Sequence, residues 1–366
     1  MKFSKSLLDD IKSKIEISDI VGKRVALQKR GKEFVGLSPF QNEKTPSFTV
    51  NNEKQFYHCF SSNKHGDIFT FLVEVEGLSF PQAVEQLAEQ AGVEIRTLTK
   101  DEEKKIDGRK KLNSIMEMAN DFFMNNLLSD NRALKYLSNR GIKKDIILEY
   151  QIGYAIDSFS SLNDYLLGKG LSNDDILLTG LIIKSDKKKN SFYDRYRDRI
   201  IFPITNTYGK IVGFGGRVIN EDNKPKYMNS PETEIFHKGN LLYNYSNIKS
   251  PNKEIKNLVV VEGYMDAISL CSKGFKNVVA PLGTAMTERQ LNLIWGLVDS
   301  PIICFDGDKA GKNAAERVIE LAVPNLKPGK NIRFINLNDG LDPDDYVNKN
   351  GIKSFFSLAE DSTPLN

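Results

Sequence analysis

The stretch LVVVEGYMD at residues 258–266 decides the fold of this chain. Its apolar run leads into an acid, a glycine and a second acid, without polar alternation. Such a run is typical of a parallel strand that is buried on both faces. The strand is predicted to end at Gly263, where a helical pattern takes over, so Glu262 ends a strand and Asp266 begins a helix. Ligands of open α/β sheets bind at this edge.

The same arrangement returns at residues 301–311, PIICFDGDKAG, where an apolar strand again ends in acids beside a glycine. Asp306 and Asp308 point the same way once Gly307 lets the backbone turn. Any one of these acids alone is explained as a helix cap or a surface residue. Together they repel one another unless a cation lies among them, and oxygen ligands with room for water and phosphate are typical of Mg²⁺. The pattern therefore predicts metal-assisted phosphoryl transfer.

Length and composition bound the remaining possibilities. The chain has 366 residues, enough for about two or three domains with cores of their own. Lys and Arg number 51 and Asp and Glu 48, a net charge of +3, so any nucleic-acid surface has to be local. Three distant cysteines, Cys59, Cys271 and Cys304, predict a reducing compartment without disulfides. Neither a secretory signal nor a membrane-spanning apolar run is seen, so a soluble, cytoplasmic protein without membrane partners is expected.

On these motifs the chain resembles a known family. EGYMD at residues 262–266, followed by DGD at 306–308, resembles the Toprim domain shared by primases, topoisomerases and some nucleases. The EGYMD form is similar to that of bacterial replicative DNA primases of the DnaG type. The loop PLGTA at residues 281–285 and the acidic turn LDPDDY at 341–346 are similar to the family as well. The resemblance covers nearly the whole chain, in order.

The N-terminal segment resembles the primase zinc ribbon, with one clear departure. Residues 37–48 (LSPFQNEKTPSF) and 56–60 (FYHCF) are similar to the ribbon nearly residue for residue, and residues 51–54 predict the turn of a hairpin. The family pattern places Cys-x-x-His and Cys-x-x-Cys here. Only Cys59 of these ligands remains, since the other positions hold Ser38, Gln41 and Ser62. Serine and glutamine do not compete for Zn²⁺, so zinc is doubtful and a zinc-ribbon-like fold without zinc is expected.

Packing and template contacts of this ribbon are predicted as well. His58 and His65 lie near Cys59, but their spacings make them poor substitute ligands. The ribbon is expected to be held by packing of its phenylalanines: Phe34, Phe40, Phe48, Phe56 and Phe60. It is expected to lay single-stranded template along aromatic and basic residues: Lys29, Arg30, Lys32, Lys44, Phe48 and Lys54. The alternative is that the aromatic residues are only core.

A basic, glycine-rich region lies between the ribbon and the acids. The paired glycines of KIVGFGGR at residues 210–217 are predicted to let the backbone approach a ligand, with Arg217 at its edge. The alternative is a solvated basic face. The resemblance implies a nucleotide and template groove opposite the acids, lined by Arg217, Lys226, Tyr227, Asn229 and Lys238. It also places Arg140 near the cleft, although a helix-terminal arginine favoured by the helix dipole explains Arg140 equally well.

The resemblance implies an α+β multidomain fold. A zinc-ribbon-like β domain with helices is expected at residues 1–98, then a charged linker or exposed helix start at 99–111. A primase RNA polymerase core follows, with a mixed α/β N-terminal subdomain at 112–255 and an α/β Toprim subdomain with a mainly parallel sheet at 256–338. Strands of that sheet are predicted near 257–262, 277–280, 301–305 and 331–336. Residues 339–366 are expected to form the acidic turn and a truncated C-terminal helix. Members of the family continue into more helices and a helicase-binding region, so a fragment or a short form is expected.

The implied activity is that of a DNA primase, a DNA-directed RNA polymerase that makes short RNA primers on single-stranded DNA from ribonucleoside triphosphates. Glu262, Asp306 and Asp308 are the implied catalytic residues, with Glu262 alternatively a base. Mg²⁺ (or Mn²⁺) is expected among the acids Glu262, Asp266, Asp306, Asp308, Asp342 and Asp344, of which Asp342 or Asp344 would complete a second site. A monomer is expected, and the replicative helicase is implied as a partner. A Toprim-type nuclease or topoisomerase and a non-catalytic single-stranded DNA binder stay open as alternatives.

Overall fold

The computed structural model describes residues 3–95, 100–186, 191–220, 222, 224–249, 255–283, 285–337 and 340–365. The chain forms two compact units, Met1–Asp107 and Gly108–Asn366. The predicted boundaries at residues 98 and 338, and Thr284 of the predicted loop, lie outside the described residues. The finer division into five parts stays a prediction.

The first unit is a five-stranded antiparallel meander with helices around it. The strands, each paired with the next, are β1 (Gln28–Arg30), β2 (Glu33–Gly36), β3 (Phe48–Asn51), β4 (Phe56–Cys59) and β5 (His65–Gly66). The helices are α1 (Lys5–Lys14), α2 (Ile17–Val21), α3 (Ile68–Glu76) and α4 (Phe80–Ala91). The hairpin predicted around residues 51–54 is confirmed, because β3 pairs with β4.

Alternation along β4 decides which aromatic residues form the core of this unit. Tyr57 is fully buried and its ring stacks on that of Phe48, with centroids 5.3 Å apart. Phe56 is only half-buried and Phe60 is 68% exposed, since successive side chains of a strand point to opposite faces. The expectation that Phe56 and Phe60 hold the ribbon together is therefore wrong, because the neighbouring residues Tyr57 and Cys59 face the core instead. Phe48 is fully buried, so its predicted contact with a template is wrong too.

Helix α5 (Lys100–Ser129) contains most of the segment predicted as a linker or an exposed helix start. The helices that follow are α6 (Asn131–Asn139), α7 (Lys144–Glu149), α8 (Ser161–Gly168), α9 (Asn173–Leu178) and, after a 3₁₀ turn at Lys238–Asn240, α10 (Tyr245–Ile248). Among them run β6 (Gly153–Ala155), β7 (Ile182–Lys184), β8 (Phe192–Asp194), β9 (Arg199–Thr205), β10 (Ile211–Val218) and β11 (Tyr227–Asn229). They form an antiparallel sheet of order β11-β10-β9-β6 and a separate β7–β8 pair.

Strand β10 is buried along its whole length, and its glycines make room for aromatic rings. A Cβ added to Gly213 would lie 2.4 Å from the ring of Phe236, and one added to Gly215 would lie 2.7 Å from the ring of Tyr264. The predicted close approach of a ligand to these glycines is therefore wrong, since the rings already fill that space. The glycines serve the packing of this sheet against its neighbours.

The C-terminal part of the second unit is built on a five-stranded sheet of order β13-β12-β14-β15-β16. Its elements are β12 (Val259–Val260), α11 (Tyr264–Ser272), β13 (Val278–Val279), α12 (Glu288–Trp295), β14 (Ile302–Ile303), α13 (Lys309–Ala322), a 3₁₀ turn (Val323–Asn325), β15 (Arg333–Phe334), α14 (Pro343–Asn350), α15 (Ile352–Glu360) and β16 (Thr363–Pro364). Strands β12 to β15 are parallel and only β16 is antiparallel. The predicted strands and the mainly parallel α/β sheet are confirmed.

Two further sequence predictions concern compartment. Cys59, Cys271 and Cys304 are free and buried. Within the described ranges, no helix has both the length and the apolar composition that crossing a membrane requires.

Candidate active site

The parallel pairing of β12 and β14 brings Glu262 and Asp306 together at one edge of the sheet. The backbone N–H of Asp306 donates to Glu262 Oε1 at 3.0 Å, which ties the two strand ends to each other. Asp308 lies just beyond, as the N-cap of α13, and accepts a hydrogen bond from the backbone N–H of Gly311 at 2.8 Å. The predicted catalytic acids are thus held by backbone hydrogen bonds on adjoining elements.

Gly311 makes this close approach possible. A Cβ at this position would lie 2.1 Å from the carbonyl oxygen of Asp306 and 2.8 Å from Glu262 Oε1. A Cβ atom essentially never lies this close to atoms it is not bonded to, so any larger residue would push the first turn of α13 away from the acids.

The acids crowd negative charge into a half-buried place. Asp266 accepts from the backbone N–H of Gly263 at 3.1 Å, and burial together with Asp306 and Asp342 raises the pKa of Asp266 to about 8. Burial and the neighbouring Glu262 and Asp342 raise the pKa of Asp306 to about 7. Burial also raises the pKa of Glu262. Each shift reflects a carboxylate that lacks compensating positive charge.

These carboxylates suit a divalent cation without enclosing one. Across the part of the chain that the structure describes, no three His, Cys, Asp or Glu side chains are arranged to hold a metal ion. However, Asp306 Oδ1 is buried and has no hydrogen-bond partner among the described residues. Mg²⁺ keeps several waters and typically takes one or two carboxylates together with substrate phosphates. An open set of oxygens with one unpaired buried member fits such an ion.

The two candidates for a second metal site, Asp342 and Asp344, differ in their surroundings. Asp342 is the N-cap of α14, accepting from the backbone N–H of Asp345 at 2.7 Å, and burial raises its pKa. Asp344 instead forms an ion pair with Lys273 at 2.7 Å and accepts from the hydroxyl of Ser269. Burial alone would raise the pKa of Asp344, but these two donors lower it below its usual range. Asp342 is therefore the better candidate, because the charge of Asp344 is already compensated.

A stack of arginines and tyrosines lies on the antiparallel sheet and α6. Arg217 is 4% exposed; its Nε donates to the hydroxyl of Tyr136 at 2.7 Å, and its guanidinium lies 4.9 Å from the centre of the Tyr227 ring. The guanidinium of Arg140 lies 5.3 Å from the Tyr136 ring, and the ammonium of Lys226 lies 5.9 Å from the Tyr227 ring. The structure thus brings together Arg140, Arg217, Lys226 and Tyr227, while their role in a nucleotide and template groove stays a prediction.

Tyr227 joins this stack to the acids. Its ring meets that of Tyr264 edge-on at 5.7 Å, and Tyr264 belongs to the turn that carries Glu262 and Asp266. Asn229 donates from Nδ2 to the carbonyl oxygen of Leu282 at 3.0 Å, which fixes it beside the loop after β13. Lys238 lies apart in these contacts: its backbone N–H donates to Glu232, and its carbonyl accepts from Gln290.

Sequence reasoning missed four residues of this site: Tyr136, Tyr264, Lys273 and Gly311. Only Tyr136 left a usable signal, because it precedes Arg140 by one helical turn and such pairs lie on one face of a helix. The contacts of the other three depend on tertiary packing. A cavity of 330 Å³ also opens beside Glu262, lined by Pro281, Met286, Phe305 and Arg317 among others. It is large enough for part of a small-molecule ligand.

Three family models match the chain in succession. Residues 3–103 match the CHC2 zinc finger, residues 122–249 the N-terminal domain of the DNA primase catalytic core, and residues 259–347 a Toprim-like domain. The Toprim-like match implies binding of a divalent metal, in agreement with the cluster of acids.

Individual relatives agree with these models. A DNA primase of Pseudomonas putida is 39% identical over 98% of this chain, and the chain spans 55% of that relative's length. The Aquifex aeolicus primase structure of the zinc-binding and RNA polymerase domains is 32% identical, with a TM-score of 0.65 over 100% of this chain and 87% of that one. A DnaG primase catalytic domain bound to single-stranded DNA is 36% identical, with a TM-score of 0.66 over 71% of this chain and 83% of that one. The chain belongs to the DnaG family of DNA primases.

Proposed function

We propose that this chain is the RNA polymerase part of a DNA primase, which joins ribonucleoside triphosphates on a single-stranded DNA template. The observation that carries the proposal is that the cluster of Glu262, Asp266 and Asp306 is connected to Arg217 through the rings of Tyr264 and Tyr227. One side supplies oxygens for a cation, and the other supplies positive charge for phosphates. Relatives of this family that contain the same span, one of them bound to single-stranded DNA, support the template class.

In this proposal Asp306 would hold Mg²⁺, or Mn²⁺, and Glu262, Asp308, Asp266 and Asp342 are the candidates for its further ligands, together with water and substrate phosphate. When bound, such an ion neutralises the triphosphate and lowers the pKa of an attacking 3′-hydroxyl. Glu262 holds the backbone of Asp306 in place through its Oε1, which favours a positioning and ligand role over that of a base. Asp308 sets the direction of α13 by capping it.

The arginine side binds phosphate. Buried Arg217 has a fixed orientation, because Tyr136 and Tyr227 hold its guanidinium, and a preorganised guanidinium stabilises charge that develops on phosphoryl oxygens. Lys226 is exposed beside it and suits the template backbone or the incoming triphosphate. We assign Arg140 and Asn229 to the same groove. Lys238 is assigned to it on the family resemblance alone.

The first unit offers a separate surface for single strands. Phe56, His58 and Phe60 share the outer face of β4, and the rings of His58 and Phe60 lie 4.4 Å apart. Lys29, Lys32 and the other predicted basic residues of this unit are exposed. The exposed ring of Phe60, with two half-buried rings beside it and cations on the same unit, suits stacked bases and their phosphates. On that composition we place the single-stranded template on this surface. The family also implies that the protein works in the cytoplasm. It further implies a replicative helicase as a partner.

The test is primer synthesis on single-stranded DNA with labelled ribonucleotides and Mg²⁺ or Mn²⁺. We expect short RNA from the parent and none from Asp306→Asn, with template binding unchanged, because the substitution removes one charge and keeps the shape. The matched control is Asp299→Asn, an exposed acid of the same unit whose change should leave synthesis intact.

Other outcomes would favour the alternative functions. Nicking of DNA without nucleotides would indicate a Toprim-type nuclease. Template binding by the parent with no chemistry under either metal would indicate a non-catalytic binder. Equal loss of synthesis and template binding in Asp306→Asn would contradict the division of roles between the acids and the arginines.

A further inference from the structure

The match to a zinc finger raises the question of what holds the first unit together. The positions of the four family ligands are occupied by Ser38, Gln41, Cys59 and Ser62. Cys59 is fully buried, and its Sγ lies 3.2 Å from Ser38 Oγ and 3.3 Å from Ser61 Oγ. Two ligands of a tetrahedral zinc stand about 3.6 Å apart, given Zn–S and Zn–O distances near 2.3 and 2.1 Å. The shorter spacing is that of direct hydrogen bonds, so these residues do not fit zinc.

The two nearby histidines do not rescue a metal site. His58 precedes Cys59 in β4 and therefore points to the opposite face of the sheet, where its ring packs on Phe60 and, at 6.0 Å, on His65. Gln41 is exposed. Across the described residues, no three His, Cys, Asp or Glu side chains are arranged to hold a metal ion.

A carboxylate takes the central place instead. Glu43 Oε1 accepts from the backbone N–H of Ser38 at 2.7 Å and from that of Ser47 at 3.2 Å. The hydroxyl of Ser47 lies 2.8 and 2.7 Å from the two carboxylate oxygens of Glu43. Glu43 thereby closes the loop between β2 and β3, whose ends these two serines mark.

The same network crosses to the turn after β4. The hydroxyls of Ser47 and Ser61 lie 2.7 Å apart, and Ser61 in turn contacts Cys59 Sγ. The backbone N–H of Phe60 donates to the carbonyl oxygen of Ser47 at 2.9 Å. The loop and the turn that carry the ligand positions are therefore linked by a continuous chain of hydrogen bonds from Glu43 to Cys59.

We propose that Glu43, with Ser38, Ser47 and Ser61, closes the ribbon of this protein in place of zinc, so that the first unit folds and works without a bound metal. The carboxylate accepts from three donors on one side of the ribbon, and the serine hydroxyls carry the linkage to the other. The stacked, fully buried rings of Phe48 and Tyr57 provide the apolar core of the same sheet. This inference does not depend on the proposed polymerase activity.

The first experiment measures metal. The full chain is purified without chelators, zinc is quantified per mole, and hydrogen exchange of peptides covering residues 37–62 is followed by mass spectrometry with and without a zinc chelator. We expect well below one zinc per chain and unchanged protection. One equivalent of zinc, or faster exchange after chelation, would overturn the proposal.

The second experiment tests Glu43. We expect Glu43→Ala to exchange about tenfold or more faster in these peptides, because charge-assisted hydrogen bonds are lost. Glu53→Ala is the matched control, since Glu53 is an exposed acid of the same unit. Equal effects of the two substitutions would contradict the proposal.

A restored ligand set guards against a variant that simply fails to fold. The triple substitution Ser38→Cys, Gln41→His and Ser62→Cys rebuilds the family pattern around Cys59. With zinc added, we expect this background to bind one zinc and to tolerate Glu43→Ala, since the metal now joins the loop to the turn. If zinc binds and Glu43→Ala still speeds exchange as much as in the parent, Glu43 does not take the place of zinc.

Discussion

At the scale of single residues, the site depends on how closely Gly311 lets α13 approach the strand ends. The residue stands in the first turn of a helix, where alanine normally stabilises the backbone relative to glycine by about 1 kcal/mol. Here that preference is reversed, because the missing Cβ is the space that the Asp306 carbonyl and the Glu262 carboxylate occupy. Helix propensity and site geometry oppose each other at this position, and geometry decides.

We expect Gly311→Ala to lower primer synthesis strongly and to destabilise the second unit by about 1–3 kcal/mol, since overpacking forces backbone shifts. The measurements are labelled primer synthesis and chemical unfolding. The matched control is Gly108→Ala, because Gly108 lies inside helix α5 with open space around it and should gain stability. Wild-type synthesis in Gly311→Ala would show that α13 can move without disturbing the acids.

The acids themselves were predictable, and their partners were not. Glu262 and Asp306 follow apolar runs that are typical of buried parallel strands, and this pattern predicts both acids at one edge of the sheet. Lys273 and Asp344 are far apart in sequence and meet only because α11 packs on α14. No local pattern announces such a pair. The same holds for Tyr264, whose ring fills the space over Gly215.

At the scale of elements, helix starts carry much of the local order. Asp67 is the N-cap of α3, accepting from the backbone N–H of Thr70 at 2.9 Å, and it also forms an ion pair with Lys12 of α1 at 2.7 Å. Burial would raise the pKa of Asp67, but Lys12 and Thr70 lower it below its usual 3.8. One side chain thus starts a helix and fastens a second helix to it.

This geometry predicts how the first unit responds to acid. Because the pKa of Asp67 is lower in the folded state, its contribution is fully present above about pH 4 and is lost as the pH falls through the folded value. We expect Asp67→Asn to cost about 0.5–1 kcal/mol of unfolding free energy at pH 6 and to show a smaller loss between pH 5 and pH 3 than the parent.

Hydrogen exchange of peptides from residues 68–76, compared at each pH, measures this contribution. Asp9→Asn, an exposed acid on α1, serves as the control and should follow the parent. An acid dependence in Asp67→Asn as steep as that of the parent would assign the effect to other carboxyls.

Elements with a clear hydrophobic pattern were predicted well, and elements whose packing depends on residues distant in sequence were predicted less well. Strands β12 and β14 lie in apolar runs that predict buried strands. The glycines of β10 were predicted to let a ligand approach the backbone, yet the rings that fill the space beside them belong to residues 236 and 264, which are distant in sequence. In the ribbon, strand β4 was predicted correctly, but Phe56 and Phe60 were assigned to its buried face because they are phenylalanines. The buried residues of β4 are instead Tyr57 and Cys59.

At the scale of the whole molecule, the two units differ in how their cores are composed. The core of the first unit is built from buried residues such as Ile11, Phe48 and Leu87. In the second unit one core cluster includes Phe202 and Ile204 of β9 together with Val259 and Tyr264. The regions predicted as an N-terminal subdomain and a Toprim subdomain therefore share apolar packing, and they should unfold together.

We expect calorimetry to show two transitions, of which only one rises when Mn²⁺ or Mg²⁺ is added, because a ligand stabilises the unit that binds it. At a cation concentration 100 times the dissociation constant, the gain is about 2.7 kcal/mol. Chelation should reverse it, and Asp306→Asn should reduce it while Asp299→Asn does not. A rise in both transitions, or in neither, would contradict a cation site confined to the acids of the second unit.

A ribbon closed by Glu43 would make the folding of the first unit independent of the zinc supply. A domain that needs a metal ion to fold is completed only after the ion binds, so the amount of folded domain depends on how much of the ion the cell contains. The hydroxyls and the carboxylate that close this ribbon belong to the chain itself, so its folding requires no added ion. A ribbon closed in this way would keep its fold when zinc is scarce, whereas a ribbon that depends on Cys and His ligands would not.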